Sequence, residues 1–253
     1  MARKKVEVTM LMPNIDLDFW VKKNPFFSSG MMLTNIKTGL NHAKRGGLID
    51  DIIFRMDEMS NDDLVKLIAS EISQNAQLAK PEKDLLRIFD LIQGWGGRMC
   101  KGPYVIPKVE PYRIAFSSFI ATQYASGLKT LSSGNIDSAL AELLKIKHLG
   151  ESFATKHLYF WGRYGALGAE LPIYDIRIKN LIYGKKAPAA NYSKYIRDIR
   201  EVAEKVKLPV GDLERALFAF SMNWFLNDTL SLKEKAVYEI DRSEAVRISS
   251  IEQ

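Results

Sequence analysis

The sequence predicts an all-helical fold. Apolar residues recur every three or four positions in several long segments, and residues that favour helix starts precede many of these segments. Long stretches in which apolar and polar residues alternate, as they do in half-buried strands, are missing from the sequence. These observations predict about eight to eleven helices and no large β domain.

The first part of the chain carries the weakest helical signal. Val6, Val8, Met10 and Met12 alternate with other residues ahead of Pro13. This pattern fits a short strand, an extended arm or an irregular cap.

A small basic cluster follows in a region broken by Asn24-Pro25 and Gly46-Gly47. It consists of Lys37, Lys44 and Arg45. We interpret the cluster as a solvated face, with contact to a phosphate as the alternative.

From Ser60 onward the helical signals are strong. Ser60 and Asp63 have the spacing of a capping box, and Pro81 suits the first turn of another helix. Either Ser133 or Asn135 can cap the helix that leads to residue 146. Helices are predicted to start at or near Ser60, Pro81, Tyr112, Asn135, Phe153, Ile176, Tyr192, Val210 and Leu232.

Composition excludes several classes of protein. The 253 residues are 47% hydrophobic and 26% charged, which is typical of a soluble globular chain, and 36 Lys and Arg against 30 Asp and Glu give a net charge of +6. Cys100 is the single cysteine, so neither an internal disulfide nor a four-cysteine iron–sulfur cluster can form. Three histidines and one cysteine provide no zinc-binding spacing, so no metal or other cofactor is expected. Without an apolar stretch that could serve as a signal peptide or membrane span, we expect a cytoplasmic protein.

The most informative segment runs from Leu143 to Gly184. Its apolar spacing predicts one helix up to Ile146 and a second from Phe153, joined at Gly150, where glycine can adopt the left-handed backbone of a tight turn. The N-terminus of the second helix could bind a phosphate through its backbone N–H groups. After a link that contains Pro172, Asp175 is predicted at the start of a third helix.

This segment resembles the helix-hairpin-helix DNA glycosylases, in which a glycine-containing hairpin and a second helix precede a catalytic aspartate. In the resemblance, Gly150 is the second hairpin glycine, Ala154 the small residue of helix packing, and Asp175 the catalytic carboxylate. The segment Ile92 to Arg98 (IQGWGGR) is similar to one in compact bacterial relatives of the 8-oxoguanine DNA glycosylases. The resemblance implies a two-lobed fold and one glycosylase-like unit over residues 1–253, with the hairpin and the aspartate at 136–183.

The chain departs from the family pattern at three hairpin positions. His148 replaces the first hairpin glycine and Lys147 a common proline. Ser152 stands where bifunctional members carry the lysine that forms a Schiff base, so the resemblance implies a monofunctional enzyme. Lys156, one helical turn further on, is the fallback nucleophile, although a solvated surface lysine is the preferred interpretation.

The resemblance also implies which residues would bind double-stranded DNA and the extracted base. His148, Gly150, Ser152 and Arg98 are the candidate DNA-binding residues, and an extracted base would be held by aromatic walls. Trp95 and Phe27, or its neighbour Phe26, are the candidates for those walls, whereas Trp20, Trp161 and Trp224 are expected in the core.

The predicted function is excision of a modified base by a monomeric glycosylase that leaves an abasic site. A hypermodified phage base is favoured over oxidised guanine, because Ser152 replaces the lysine of the oxidised-guanine enzymes and the glycines of IQGWGGR leave space for a large base. A non-catalytic hairpin module that clamps DNA is the rival, for which Asp175 has no use. A helix-turn-helix regulator is less favoured because no basic recognition face follows Gly150.

Overall fold

The computed structural model describes residues 10–23, 36–37, 39–41, 43–74, 82–96, 112–185, 191–222 and 231–250. Within these residues the regular structure is helical throughout, so the all-α prediction is confirmed. The helices are α1 (Leu17–Lys23), α2 (Asp50–Ile53), α3 (Asn61–Gln74), α4 (Glu82–Trp95), α5 (Ser117–Ser132), α6 (Ile136–Leu143), α7 (Glu151–Tyr164), α8 (Ile176–Tyr183), α9 (Tyr192–Val206), α10 (Val210–Met222) and α11 (Leu232–Ser250).

The chain divides into two compact units. One comprises Met1–Pro25 and Tyr174–Gln253, and the other comprises Phe26–Ile173. The description of residues 1–253 as a single glycosylase-like unit stays a prediction.

Several predicted helix starts are confirmed by their hydrogen bonds. The Ser60 N–H donates to Asp63 Oδ2 at 3.0 Å and the Asp63 N–H donates to Ser60 Oγ at 3.1 Å, which is the reciprocal pattern of a capping box. Asn135, and not Ser133, caps α6 by accepting from the Ser138 N–H at 3.2 Å. Local sequence therefore sets these boundaries.

The unit Phe26–Ile173 is built around α7, which packs against α3, α4, α5 and α6. Gly127 of α5 allows α5 and α6 to approach closely, because a Cβ atom at this position would lie 2.8 Å from Leu143 Cδ2. The fully buried core residues of this unit include Ile68, Ile72, Ile88, Leu91, Ile92, Ile120, Leu143, Ala154, Leu158 and Phe160.

A polar network crosses this apolar core. The Trp161 indole N–H donates to Tyr124 Oη at 2.7 Å, and Tyr124 Oη lies 2.9 Å from His157 Nδ1. Gln93 Nε2 lies 3.1 Å from His157 Nε2 on the other side of the ring. Burial, together with the charge of Lys156, lowers the pKa of His157 to about 3, so the imidazole is neutral at ordinary pH.

A buried ion pair ties the segment before α5 to α4. Arg113 Nε donates to Asp90 Oδ1 at 2.8 Å, and both side chains are about 5% exposed. Gly46 lies directly against the pair, since a Cβ atom there would be 2.8 Å from Asp90 Oδ2. The lack of a side chain at Gly46 therefore lets this part of the chain approach the two charged groups closely.

The unit Met1–Pro25 with Tyr174–Gln253 joins the first described residues to the last helices. Helix α1 packs on α10, and the Trp20 indole N–H donates to Asp241 Oδ2 at 2.5 Å. The Leu11 N–H donates to the Ile182 carbonyl at 2.6 Å, so residues 10–16 are irregular rather than a strand. Val6 and Val8, the first half of the segment predicted as a strand, an extended arm or an irregular cap, lie outside the described residues.

Candidate functional site: a helical hairpin and a buried aspartate

The predicted hairpin is present between α6 and α7. Its turn, residues 144–150, is fixed by Ile146 and Leu149, which are 1% and 4% exposed. The Leu149 N–H donates to the Ile146 carbonyl at 3.0 Å and closes the turn. Lys147, His148 and Gly150 are exposed between and beyond these two anchors.

The prediction that Gly150 adopts a left-handed backbone is wrong. Gly150 has φ −81° and ψ 164°, an extended conformation, and it is the N-cap residue of α7. The left-handed residue of the turn is His148, at φ 71°. Histidine enters this region more readily than most residues, and the burial of both Ile146 and Leu149 forces the reversal onto the residues between them.

The N-terminus of α7 is open at Gly150. A Cβ atom there would meet no heavy atom within 4 Å, so the absence of a side chain leaves free volume beside the first turn. The helix dipole favours an anion at this end. Glu151, an exposed acid in the first turn, already supplies one negative charge.

Ser152 and Lys156 lie on one face of α7. Lys156 Nζ donates to Ser152 Oγ at 3.3 Å and lies 4.2 Å from the centroid of the Phe153 ring. Gly96 packs against the same side chains, because a Cβ atom at Gly96 would be 2.5 Å from Phe153 Cε1 and 3.2 Å from Lys156 Cδ. The IQGWGGR segment and the hairpin helix therefore meet at Gly96.

Trp95 is half-buried in this same unit. Its indole N–H donates to Asn61 Oδ1 at 3.0 Å. The ring is stacked with Tyr159 at 6.3 Å between centroids and meets Phe160 edge to face at 4.9 Å. Its role as a wall of a base pocket stays a prediction.

Other candidates can be located only in part. Arg98, Phe26, Phe27, Cys100 and Trp224 lie outside the described residues. Trp20 and Trp161 are 1% and 4% exposed, which confirms that they belong to the core. In the basic cluster, Lys37 Nζ donates to Asp57 Oδ1 at 2.7 Å, while Lys44 and Arg45 are exposed.

Asp175 caps α8, as the sequence predicts. Its Oδ1 accepts from the Arg177 N–H at 2.9 Å, and the Arg177 Nη1 atom is 3.7 Å from the same oxygen. The residue is 6% exposed. A helix N-terminus therefore holds a buried carboxylate in one orientation. Ile176 is 57% exposed, whereas Ile178 and Leu181 are 1% and 9% exposed and form the apolar face of this helix.

Sequence reasoning missed a cluster of tyrosines that includes the neighbour of this carboxylate, Tyr174. The Tyr174 and Tyr195 rings are 4.6 Å apart, and Tyr192 lies 6.4 Å from each of them. Burial raises the pKa of Tyr195 well above its usual range, with contributions from Glu214, Tyr192 and Asp175. The spacing of Tyr192 and Tyr195 on one helical face was the available signal.

A second buried carboxylate lies in the same unit. Asp198 accepts from Tyr183 Oη at 2.6 Å and from Lys194 Nζ at 2.5 Å, and it is 6% exposed. Because a lysine and a tyrosine already bind it, Asp198 fits a structural ion pair. Unlike Asp175, it lies in the middle of a helix.

Among the described side chains, no group of three or more His, Cys, Asp or Glu is arranged to hold a metal ion. In the same part of the chain, no helix has both the length and the apolarity needed to cross a bilayer.

Comparison with known proteins yields a family match. The model of a family described as "Putative 8-oxoguanine DNA glycosylase OGG-like protein" matches residues 67–218, which include α4 to α9 and hence both the hairpin and Asp175. No curated protein and no solved structure matches the chain significantly. Since the family model spans more than half of the 253 residues, the chain belongs to the 8-oxoguanine DNA glycosylase OGG-like family.

Proposed function

We propose that this protein is a monofunctional DNA glycosylase that releases a modified base from double-stranded DNA and leaves an abasic site. The observation that carries the proposal is Asp175, a buried carboxylate held at a helix N-terminus in a family of DNA glycosylases. The hairpin precedes it in the chain, as it does in the enzymes that the segment resembles.

Asp175 has the chemistry that hydrolysis of an N-glycosidic bond requires. As the bond between C1′ and the base nitrogen breaks, positive charge develops on the deoxyribose, and a fixed carboxylate stabilises it. Water then forms the new bond to C1′, and the same carboxylate can accept the proton that water loses. The departing base takes the electrons of the broken bond and a proton.

The hairpin supplies the second part of the proposal, which is binding of the DNA backbone. The open volume at Gly150 and the N-terminus of α7 suit a phosphate oxygen. Lys147 and His148 are exposed in the same turn and add donors on its surface. Glu151 opposes this binding by charge, so we expect the clamp to be weak and independent of base identity.

Ser152 supports the absence of lyase chemistry. A serine hydroxyl cannot form an imine with the sugar aldehyde, and Lys156 is engaged with Ser152 Oγ and the Phe153 ring. The reaction would therefore end at the abasic site with the strand intact.

For the substrate, we propose a hypermodified base such as those of phage DNA, with oxidised guanine as the alternative. The proposal rests on Ser152, which stands where the oxidised-guanine enzymes carry a lysine. The glycines beside Trp95 do not leave the expected space for a large base, because a Cβ atom at Gly94 or Gly96 would lie 2.5 Å from a neighbouring side chain. Trp95, Phe27 and Arg98 are the residues proposed to contact the flipped base or the gap that it leaves.

The decisive experiment identifies released bases. The protein is incubated with oxidised, alkylated, uracil-containing and phage-derived DNA, and free bases are identified by mass spectrometry. We expect the wild type to release a base from one of these substrates. Asp175→Asn should not release it. DNA binding without release from any substrate would contradict the proposal and favour a non-catalytic hairpin clamp.

A further inference from the structure

An exposed aromatic surface lies beside the hairpin. We call it the hairpin-side surface, and it consists of Tyr112, Phe116, Phe119, Lys147 and His148. Phe116 and Phe119 are 51% and 43% exposed, although rings of this size are usually buried. Exposed aromatic rings that lie near one another, unlike a single exposed ring, suit an interaction site.

Tyr112 lies between the phenylalanines of this surface and its hairpin residues. Its ring lies 4.6 Å from that of Phe116 on the same segment. On the hairpin side, the His148 ring meets it edge to face at 5.9 Å, and Lys147 Nζ lies 5.9 Å from its centroid. The aromatic rings are therefore continuous with the Lys147 ammonium group across the junction.

This combination matches the chemistry of an unpaired nucleic-acid strand. Bases expose their flat faces only when they are unpaired, and proteins bind such bases by stacking aromatic rings on them while basic groups contact the phosphates. A fully paired duplex offers its phosphates, sugars and base edges, but the flat faces of its internal bases are stacked on one another. The rings of Phe116 and Phe119 would have nothing to stack on.

We infer that the hairpin-side surface binds unpaired nucleotides of DNA. The inference rests on the proposed function, because extraction of a base from a duplex unpairs the DNA locally. It assigns to Phe116 and Phe119 a stacking role, and to Lys147 a contact with a phosphate.

The experiment measures affinity by fluorescence anisotropy with a single strand of about 15 nucleotides and with the blunt duplex of the same sequence. Phe116→Ala and Phe119→Ala should each weaken single-strand binding about tenfold, because one stacked base is lost, and duplex binding by less than about twofold. Phe116→Trp should restore the affinity. Lys147→Gln should weaken the binding of both DNAs. It should also make the salt dependence of the affinity shallower, by an amount that corresponds to the loss of about one phosphate contact.

Phe54 provides a matched control in the same unit. Its ring is 88% exposed in a turn that contains Arg55, Asp57 and Glu58, so it provides an accessible ring that does not belong to the hairpin-side surface. Phe54→Ala should leave both affinities unchanged. Equal losses in Phe54→Ala and Phe116→Ala would show a general effect of exposed rings and overturn the assignment.

Three other outcomes would overturn it. Unchanged single-strand affinity in both alanine variants would exclude stacking. A fall of several degrees in the melting temperature of Phe116→Ala would show that another part of the chain covers the ring. A dimer in light scattering that Phe116→Ala abolishes would assign the surface to a second copy of the chain.

Base release separates this inference from the proposed function. If no DNA yields a free base but Phe116→Ala still weakens single-strand binding, the glycosylase proposal fails and the surface stands. If release depends on Asp175 while Phe116→Ala binds single strands as the wild type does, the surface fails alone.

Discussion

Asp175 occupies a position at which a helix cap and a catalytic carboxylate require different properties. Capping requires an oxygen that accepts from the Arg177 N–H, and Asn can supply it as well as Asp. Stabilising a positively charged sugar requires the negative charge, which Asn lacks. The two roles are therefore separable by a single substitution.

We expect Asp175→Asn to abolish base release while leaving the melting temperature and the affinity for DNA close to those of the wild type. The rate should fall by at least about a hundredfold, the usual consequence of losing one transition-state electrostatic contact. Single-turnover assays and thermal denaturation on the same preparation measure both effects. Retention of release would remove Asp175 from the chemistry and leave it as a cap.

Asp198→Asn is the matched control for this substitution. It also removes a buried carboxylate from the same unit, but one that Tyr183 and Lys194 already bind. We expect lower stability and an unchanged rate per folded molecule. If both variants lose base-release activity equally, the loss reflects damage to the whole unit and not the missing carboxylate of Asp175.

His157 carries a prediction about acid stability. Its folded-state pKa of about 3 lies below the ordinary value of 6.5, so the unfolded chain takes up a proton first as the pH falls. The stability that neutral His157 contributes is complete above 6.5 and is lost as the pH drops towards 3. Between pH 7 and pH 5 the free energy of unfolding should fall by about 2 kcal/mol from this residue.

Denaturant titrations of wild type and His157→Gln at these two pH values measure the effect. Glutamine keeps a donor and an acceptor for Gln93 and Tyr124 but does not titrate. The variant should lose less stability on acidification, although it also loses the stacking of His157 on Phe89 at 4.8 Å. Equal losses, or a wild-type imidazole that NMR finds charged at pH 5, would contradict the buried neutral state.

At the scale of elements, the sequence predicts helices better than the turn between them. Ser60, Asn135 and Asp175 were predictable as caps because each binds a backbone N–H within three residues. The backbone conformation of the hairpin was not predictable from the sequence, because glycine permits a left-handed conformation without requiring it. Burial of Ile146 and Leu149 places the reversal at His148 instead, and burial depends on distant packing partners.

The extended backbone of Gly150 sharpens the test of phosphate binding. Gly150→Val should leave the fold intact, because valine accepts this backbone and a Cβ atom meets nothing within 4 Å. The added side chain occupies the space proposed for a phosphate. We expect affinity for modified and unmodified duplexes to fall by similar factors, about tenfold at low salt, with a shallower salt dependence.

Gly134 is the contrasting control, since it has φ 80° in the turn between α5 and α6. Gly134→Val should cost about 1 to 2 kcal/mol of stability through a strained backbone and leave DNA affinity unchanged. If folded Gly150→Val binds duplex like the wild type across a salt series, the hairpin is a structural turn without a role in DNA binding.

At the scale of the whole molecule, helical spacing was sufficient to predict the all-α class, but contacts between remote segments were not accessible. Trp20 and Asp241 are 221 positions apart, and no local pattern announces their hydrogen bond. The same holds for the contact between Gly96 and Lys156. Contacts of this kind depend on the packing of distant segments, whereas the sequence alone reveals only the order of the site residues along the chain.

Ser152 determines the product that we expect the protein to leave on DNA. A serine at position 152 forms no imine, so the DNA strand should remain continuous after base release until alkali or an abasic-site nuclease cleaves it. Borohydride should trap no covalent adduct with the wild type. Ser152→Lys places an amine one helical turn from Lys156, whose positive charge lowers the lysine pKa and favours the reactive neutral amine. This variant should yield a trapped adduct, whereas an adduct with the wild type that Lys156→Ala abolishes would identify Lys156 as a displaced nucleophile and contradict the monofunctional mechanism.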